Sequence, residues 1–270
     1  MSVPVRATIR PANLAELRLS AIEFDACWEL LGLGSTPPAL ALPSPGRTWQ
    51  ERHQILTSVL AALRRRGLAD RSAPGNRVAG PLRLLAGPDY QLDMRLRDDR
   101  HGTLVGIGAS ARGYGVLLAR HRDQLRLRPV RPARLVDAVV GLAGPVKAGV
   151  GRAVNMPADV FDAARDATTD GKLWTMADQL LARGIPRLDA ASWVRMCTGI
   201  HAVGQIGTAF WVDGVPRFGP WVIGFQATEA GHFLQLRRPR QGADTVTVCP
   251  LDGPGLARLT DELLAEGAAR

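Results

Sequence analysis

The chain has 270 residues, of which 46% are apolar, and it carries a formal net charge of +9. It contains no run of eighteen apolar residues, and residues 1–6 lack the apolar core of a signal peptide, so we expect a cytoplasmic protein without membrane insertion. The three cysteines, Cys27, Cys197 and Cys249, are far apart, which argues against a disulfide framework or a zinc site and predicts buried free thiols.

Two helix starts are predicted in the first half of the chain. Ser20 with Glu23, and Thr48 with Glu51, each match the capping box, in which the hydroxyl and the carboxylate satisfy free N–H groups at a helix N-terminus. The second helix ends on three arginines before Gly67, a pattern typical of a helix C-terminus rather than of a ligand site. The other elements predicted here are a tail or loose edge strand over residues 3–9, a polar loop over 74–80, a short helix over 81–86 and a strand over 90–96.

Two stretches of the chain, residues 104–138 and 222–259, resemble one another. Val105-Gly106-Ile107-Gly108 matches Ile223-Gly224-Phe225-Gln226, and the same offset pairs Gly113 with Gly231 and Leu118 with Leu236. After three extra residues in the turn around 239–243, residues 125–130 match 246–251. For each copy the sequence predicts three strands joined by two turns, the first of them at a glycine, and then a proline that ends the third strand and a helix. Chance similarity between two glycine-rich β regions is the alternative.

The second half of the chain repeats the order of the first. Three helices are predicted at about residues 157–165, 174–182 and 189–197, before a long strand over 199–212 and a hairpin turn at Asp213-Gly214. We therefore expect an α+β fold in which a quasi-two-fold repeat forms a central antiparallel sheet flanked by helical bundles. The expected organisation is an N-terminal half (1–140), a small-residue linker (141–155) and a C-terminal half (156–270), with one shared core.

The sequence offers no recognisable catalytic constellation. It has no nucleophile elbow or Walker lysine, and its glycines lie in a predicted hairpin rather than before a helix. The five histidines have no metal-ligand spacing, and His201, at the start of an apolar strand, is interpreted as a core residue. We expect no enzyme, cofactor or metal, although an active site assembled from distant residues stays open.

A basic region runs from Arg95 to Arg134, with ten arginines against Asp98, Asp99 and Asp123. Such a region can bind nucleic acid or another anionic surface. Many of these arginines alternate with leucine, however, as on the solvated face of a sheet, and no aromatic residues are interleaved as in a single-strand binding groove. Nucleic acid is therefore the less favoured partner, and this region supports the alternative function.

The start and the end of the chain resemble the EspG family. The segments that carry this resemblance are Leu19 to Asp25, Trp28 to Gly34, Pro45 to Thr48, Glu51-Arg52, Val222 to Phe225, and the closing strand, proline and helix with Leu256, Leu259, Leu263 and Leu264. This family contains chaperones of type VII (ESX) secretion in actinobacteria. The resemblance implies a cytoplasmic chaperone without catalysis and a quasi-two-fold fold with a central antiparallel sheet.

The resemblance also implies a partner and a binding face. The partner is a PE–PPE heterodimer or a similar helical secretion substrate, whose hydrophobic PPE tip the chaperone keeps soluble; a homodimer of the chaperone stays open. The binding face involves the loop between early strands, the central sheet and the C-terminal helical bundle. By position, the expected contact residues are Arg97, Asp98, Asp99, Arg100 and His101 in the loop, and Gln205, Thr208, Phe210, Phe218, Trp221 and Phe225 near the sheet.

Overall fold

The computed structural model describes residues 16–168, 172–238 and 244–269. The described residues form one sheet of eleven strands. The strands are β1 (Leu17–Ser20), β2 (Tyr90–Asp98), β3 (Gly102–Ala111), β4 (Tyr114–His121), β5 (Gln124–Val130), β6 (Val154–Pro157), β7 (Ala202–Val212), β8 (Val215–Phe218), β9 (Ile223–Thr228), β10 (Gly231–Arg238) and β11 (Thr245–Pro250).

Helices precede and follow the strands in each half of the chain. They are α1 (Ala21–Leu30), α2 (Trp49–Arg65), α3 (Asn76–Ala86), α4 (Leu135–Val140), α5 (Ala158–Asp166), α6 (Leu173–Ala182), α7 (Arg187–Cys197) and α8 (Gly253–Ala268). No helix in the described ranges is long and apolar enough to cross a membrane.

The sheet is antiparallel throughout and has a symmetric strand order, β1-β5-β4-β3-β2-β7-β9-β10-β11-β6, with β8 paired to the far end of β7. The two halves meet where β2 pairs with β7, and Met94 lies opposite Ile206 at this junction. Read outward from the junction, each half contributes five strands in the same order, so the sheet has a pseudo-two-fold axis there. The predicted α+β fold with a quasi-two-fold repeat is confirmed.

The repeat has a different register from the one predicted. The β3–β4 hairpin closes at Ala111 and Tyr114, whereas the β9–β10 hairpin closes at Thr228 and Gly231. Gly113 lies in its turn with φ +80°, but Gly231 is already the first residue of its strand. Matching these two glycines, as the sequence suggests, therefore shifts the second copy by one residue.

The strand pairing further along the sheet confirms this shift. Leu118 pairs with Leu127 in the first half, and Gln235, not Leu236, pairs with Val248 in the second. Because successive residues of a strand point to opposite faces, an error of one residue exchanges the buried and the exposed sets. The predicted match of residues 125–130 with 246–251 is correct. The turn over 239–243, where extra residues are predicted, lies outside the described residues, as does the edge strand predicted over 3–9.

Both predicted capping boxes are present. The backbone N–H of Glu23 donates to Ser20 Oγ at 3.2 Å, and the N–H of Ser20 donates back to the Glu23 carboxylate at 2.8 Å. Thr48 and Glu51 make the same pair of contacts at the start of α2. These hydrogen bonds satisfy N–H groups that have no partner within a helix, and they fix where α1 and α2 begin.

One predicted helix boundary is wrong. Helix α3 begins at Asn76, so most of the predicted loop over 74–80 is helical and Pro81 lies inside the helix. Burial explains this, since Val78 and Leu82 are fully buried and pack in the first-half core. Val139 and Val140 belong to the buried part of α4 and precede the small-residue segment.

Candidate functional site

One face of the central sheet is covered by helices. Met94, Ile206 and Ile223 pack there in a single apolar cluster with residues of α4 and α8, including Leu135 and Leu263. These two helices lie next to each other on this face. Because side chains alternate along a strand, the neighbouring residues of β2, β7 and β9 point to the opposite face.

The opposite face carries the two helical bundles, α1–α3 against the first half and α5–α7 against the second. Between them the sheet stays open as a groove of about 570 Å³. Val203, Gln205 and Val222 lie on its floor, and Phe161 of α5 lies in its wall. The valine side chains are partly exposed, with Val203 at 44% and Val222 at 47%, so the floor offers apolar surface to a partner.

The rim of the groove is mostly basic. Arg95, Arg97, Arg165 and Arg237 line it, with Asp162 as the acidic member. Arg237 Nη1 lies 2.7 Å from Asp162 Oδ2, and Arg165 Nη1 lies 3.0 Å from Asp162 Oδ1, so one carboxylate holds two guanidinium groups at the wall. The groove thus combines an apolar floor with a ring of hydrogen-bond donors.

The loop between β2 and β3 is built on Asp98. Its carboxylate accepts hydrogen bonds from the backbone N–H groups of Arg100 at 2.9 Å and His101 at 2.7 Å, and it lies 2.8 Å from His101 Nδ1. Burial alone would raise the pKa of Asp98, but the hydrogen bonds from His101 and Arg100 outweigh it and lower the pKa below its ordinary value. Asp98 therefore shapes the loop, while Arg97, Asp99 and His101 are exposed.

Three of the predicted contact residues line the groove: Arg97, Gln205 and the mostly buried Phe225. Arg97 lies on its rim near the end of β2, and Gln205 lies on its floor. The backbone N–H of Asp99 donates to the carbonyl of His201 at 2.9 Å, which joins the loop to the start of β7. The predicted loop and the open part of the sheet are thus neighbours in space, although they are about a hundred residues apart in the chain.

Four of the predicted contact residues are at least partly buried. Thr208, Trp221 and Phe225 are buried, and Phe210 is partly buried. Trp221 Nε1 donates to the Glu266 carboxylate of α8 at 2.7 Å. Thr208, Phe210 and Trp221 are core residues beneath α8, so the expectation that these three side chains meet a partner is corrected. Phe225 packs in the same apolar cluster and borders the groove as well.

Phe218 is the exposed aromatic of the predicted set. Its side chain is 79% exposed on β8, opposite Ala209 of β7. Ala209 shares its face of the sheet with Val203 and Gln205, since they are separated by even numbers of residues along β7. Phe218 therefore belongs to the open face but lies beyond the groove, at the other end of the strand.

His201 is also placed differently from the prediction. It is partly exposed and lies 4.0 Å from Asp98, so it is not a core histidine. His101, on the other side of Asp98, is exposed as well. Within the part of the chain that the structure describes, no group of histidine, cysteine or acidic side chains is arranged to hold a metal ion.

The basic region from Arg95 to Arg134 does not form a single surface. Arg95 and Arg97 line the groove, and Arg120 turns toward the carbonyls of residues 40 and 41. Arg126 and Arg128 alternate with the buried Leu125 and Leu127 of β5 and so point to the other face of the sheet. The arginines therefore do not form one continuous stripe along a phosphate backbone.

The groove residues that sequence reasoning missed are Arg95, Asp162, Val203, Val222 and Arg237. Their pattern is ordinary alternation on a strand or helix, which does not reveal which face of a sheet stays open. A signal was nevertheless present, since Val203-Gly204-Gln205 is a weakly apolar run near the start of an otherwise mostly apolar strand.

Comparison with known proteins decides the family. The model of the EspG family matches residues 20–262, which is most of the chain. The chain belongs to the EspG family. Its match begins at the first capping box and ends within α8, so it includes both halves of the EspG-type repeat.

A solved structure agrees with the EspG assignment. The chaperone EspG5 of the Mycobacterium tuberculosis type VII secretion system, in complex with a PE25–PPE41 dimer, has a TM-score of 0.75 to this chain at 14% identity, with 93% of this chain and 96% of that chain covered. At this identity the likeness shows a shared fold. A second match, HtdX from Mycobacterium tuberculosis, has a TM-score of 0.14 at 15% identity, with 88% of this chain and 98% of that chain covered, and is too dissimilar to support an argument. No curated protein matches the chain.

Proposed function

We propose that this EspG-family chain is a cytoplasmic chaperone of type VII secretion, without catalytic activity, that binds the apolar tip of the PPE subunit of a PE–PPE heterodimer. The observation that carries the proposal is the groove between the two helical bundles. There the central sheet keeps the exposed apolar side chains of Val203 and Val222 side by side, and arginines border them. An apolar tip held there would lose its contact with water, which is how a chaperone keeps it soluble.

The proposed binding face differs from the set of residues suggested by the sequence. It keeps Arg97, the loop with Asp99, Arg100 and His101, and Gln205 on the floor, and it adds Val203, Val222 and the wall formed by α5. Asp98 contributes by shaping the loop. The division into residues 1–140, 141–155 and 156–270 remains a proposal, with the qualification that the apolar cluster beneath α4 and α8 contains residues of both halves.

The experiment is co-expression with a PE–PPE pair from the same genome, followed by size-exclusion chromatography with light scattering in 0.5 M salt. We expect a complex with one heterodimer per chain. Val203→Arg should abolish it, because a guanidinium would occupy the apolar floor. The matched control is Val212→Arg, in the same strand and with similar exposure (40% against 44%) but outside the groove. Separate elution of the wild-type chain and every heterodimer, or equal loss with both variants, would contradict the proposal.

A further inference from the structure

The pseudo-two-fold axis relates the groove to a second place in the sheet, in the first half of the chain. The structural register equates Gly224 and Gln235 of the groove with Ile107 and Leu118. Arg237 and Arg120 are equivalent too, since each is the seventh residue of its strand. In the helices, Asp162 and Asp25 are each the fifth residue of α5 and α1. The two halves of the chain therefore have the same arrangement at this place: two sheet positions, an arginine near the end of a strand and an aspartate in the first helix of the bundle. We call this arrangement the frame.

The frame is filled in the first half by the chain itself. The connection between α1 and α2 runs over residues 31–48, and within it the turn Pro37–Pro43 lies against the sheet; we name this turn the plug. Leu40 of the plug is fully buried in one apolar cluster with Ile107 and Leu118. The connection between α5 and α6 spans only residues 167–172, and the equivalent place is the open groove.

Arginines hold the plug by its backbone. Arg120 Nη1 donates to the carbonyl of Leu40 and, at 3.4 Å, to that of Ala41. Arg95 Nη2 donates to the carbonyl of Ala39 at 3.2 Å. The plug is thus recognised by one leucine side chain in the apolar floor and by guanidinium groups on three consecutive carbonyls. These carbonyls are free for such contacts because the plug is a single turn of 3-10 helix that ends at Ala41.

We infer that the open groove recognises its partner in the way that the first half recognises the plug. A leucine-sized side chain of the partner would lie between Phe161, Val203 and Val222, and Arg237 would donate hydrogen bonds to free backbone carbonyls beside it. This inference rests on the proposed function, because it concerns the PPE tip. The last four carbonyls of a helix have no partner within the helix and carry partial negative charge, so the end of a helical hairpin presents the groups that a guanidinium binds.

Arg237 is well placed for this role. Its Nη1 and Nε contact Asp162 and Asp244, at 2.7 and 3.2 Å, and these ion pairs hold the side chain at the groove wall. The guanidinium carries further hydrogens on Nη2, and the side chain is 51% exposed. Arg237 therefore acts as a specificity-determining residue. It recognises the free backbone carbonyls of a turn, whichever side chains the turn carries.

The test is a binding titration of the full chain with a purified PE–PPE heterodimer from the same genome. Arg237→Lys keeps the charge but loses the planar fork, and we expect it to weaken the Kd at least tenfold. The matched control is Arg258→Lys on α8, which lies outside the groove, is 68% exposed and contacts Glu262 as Arg237 contacts Asp162; its Kd should stay within twofold of the wild type. Thermal melts of both variants check that each is folded.

A second arm separates backbone recognition from an ion pair with the partner. Replacing the acidic residues near the PPE tip by their amides should leave the Kd unchanged, whereas replacing its apolar tip residue by alanine should weaken the Kd at least tenfold. The inference is overturned if Arg237→Lys binds like the wild type, if Arg258→Lys is weakened equally, or if the amide substitutions reproduce the loss. Failure of the wild-type chain to bind any heterodimer would instead overturn the proposed function, and this inference with it.

Discussion

The plug is the part of the fold whose stabilising effect is most directly testable. Leu40 is fully buried between the first helical bundle and the sheet, so Leu40→Ala removes three carbon atoms from a packed site. Substitutions of this kind cost about 2–5 kcal/mol, depending on how far the neighbours collapse into the cavity. Here the hydrogen bonds from Arg95 and Arg120 hold the backbone of the plug in place, so collapse is limited. We expect a loss of about 3–4 kcal/mol in the free energy of unfolding.

The assay is equilibrium unfolding in urea, followed by far-UV circular dichroism and by tryptophan fluorescence. Trp28, one of six tryptophans in the chain, lies in the same apolar cluster as Leu40, so the fluorescence includes a signal from this core. Coincident transitions by the two probes would justify a two-state treatment. The control is Leu188→Ala, at a side chain that is 74% exposed, which should change the stability by less than about 0.5 kcal/mol. A loss below about 1 kcal/mol for Leu40→Ala would refute the reasoning that the plug is part of the core.

Three further predictions concern a close contact in β7, the partly buried Asp93 and the thiols. Gly204→Ala should cost about 1–3 kcal/mol in thermal or urea unfolding, because its new methyl group would lie 2.1 Å from an aromatic ring, whereas Gly207→Ala, with its closest neighbour at 4.0 Å, should cost much less. Burial raises the pKa of Asp93 to about 6, so stability should fall as pH rises from about 4 through 6, and Asp93→Asn should remove this fall. Burial likewise raises the pKa of the Cys27 and Cys197 thiols to about 12 and about 11, so native protein at pH 8 should resist alkylation of both when labelling is read by mass spectrometry.

Each of these predictions has an outcome that would contradict it. Equal stability of the two glycine variants would mean that the ring moves aside without cost. A pH profile of Asp93→Asn that parallels the wild type between pH 4 and 7 would remove Asp93 as its cause. Rapid labelling of Cys27 in the native protein, with a rate close to that in urea, would show that the first-half core opens readily.

Local patterns in the sequence predicted much of this fold because they depend only on neighbouring residues. The capping boxes at Ser20 and Thr48 are closed within four residues, and both helices begin where these motifs place them. The repeat was also visible, but its register was not, because Gly113 and Gly231 match in sequence while they occupy different positions in their hairpins. Hairpin closure is decided by pairing between strands, which a single sequence does not display.

The candidate site was harder to predict than the fold. Its floor depends on which face of β7 the helices leave uncovered, and α8 lies in sequence beyond every strand that it covers. The aromatic residues Phe210, Trp221 and Phe225 were attractive because of their type, yet Phe210 and Trp221 pack beneath that helix and Phe225 is 4% exposed. The loop around Asp98 could be placed because it joins two consecutive strands. The plug could not, since its contacts with Arg120 connect residues about eighty apart in the chain.

The short outermost strands of the sheet have a consequence for solubility. A long sheet exposes a row of unpaired N–H and C=O groups at each border, and such borders invite other chains to add strands and polymerise. Here the border strands β1 and β6 have four residues each, and each runs directly into a helix. An incoming strand therefore finds only a few hydrogen bonds before the backbone turns away. The sheet borders of this protein are therefore poor templates for strand addition, even though its groove exposes apolar side chains.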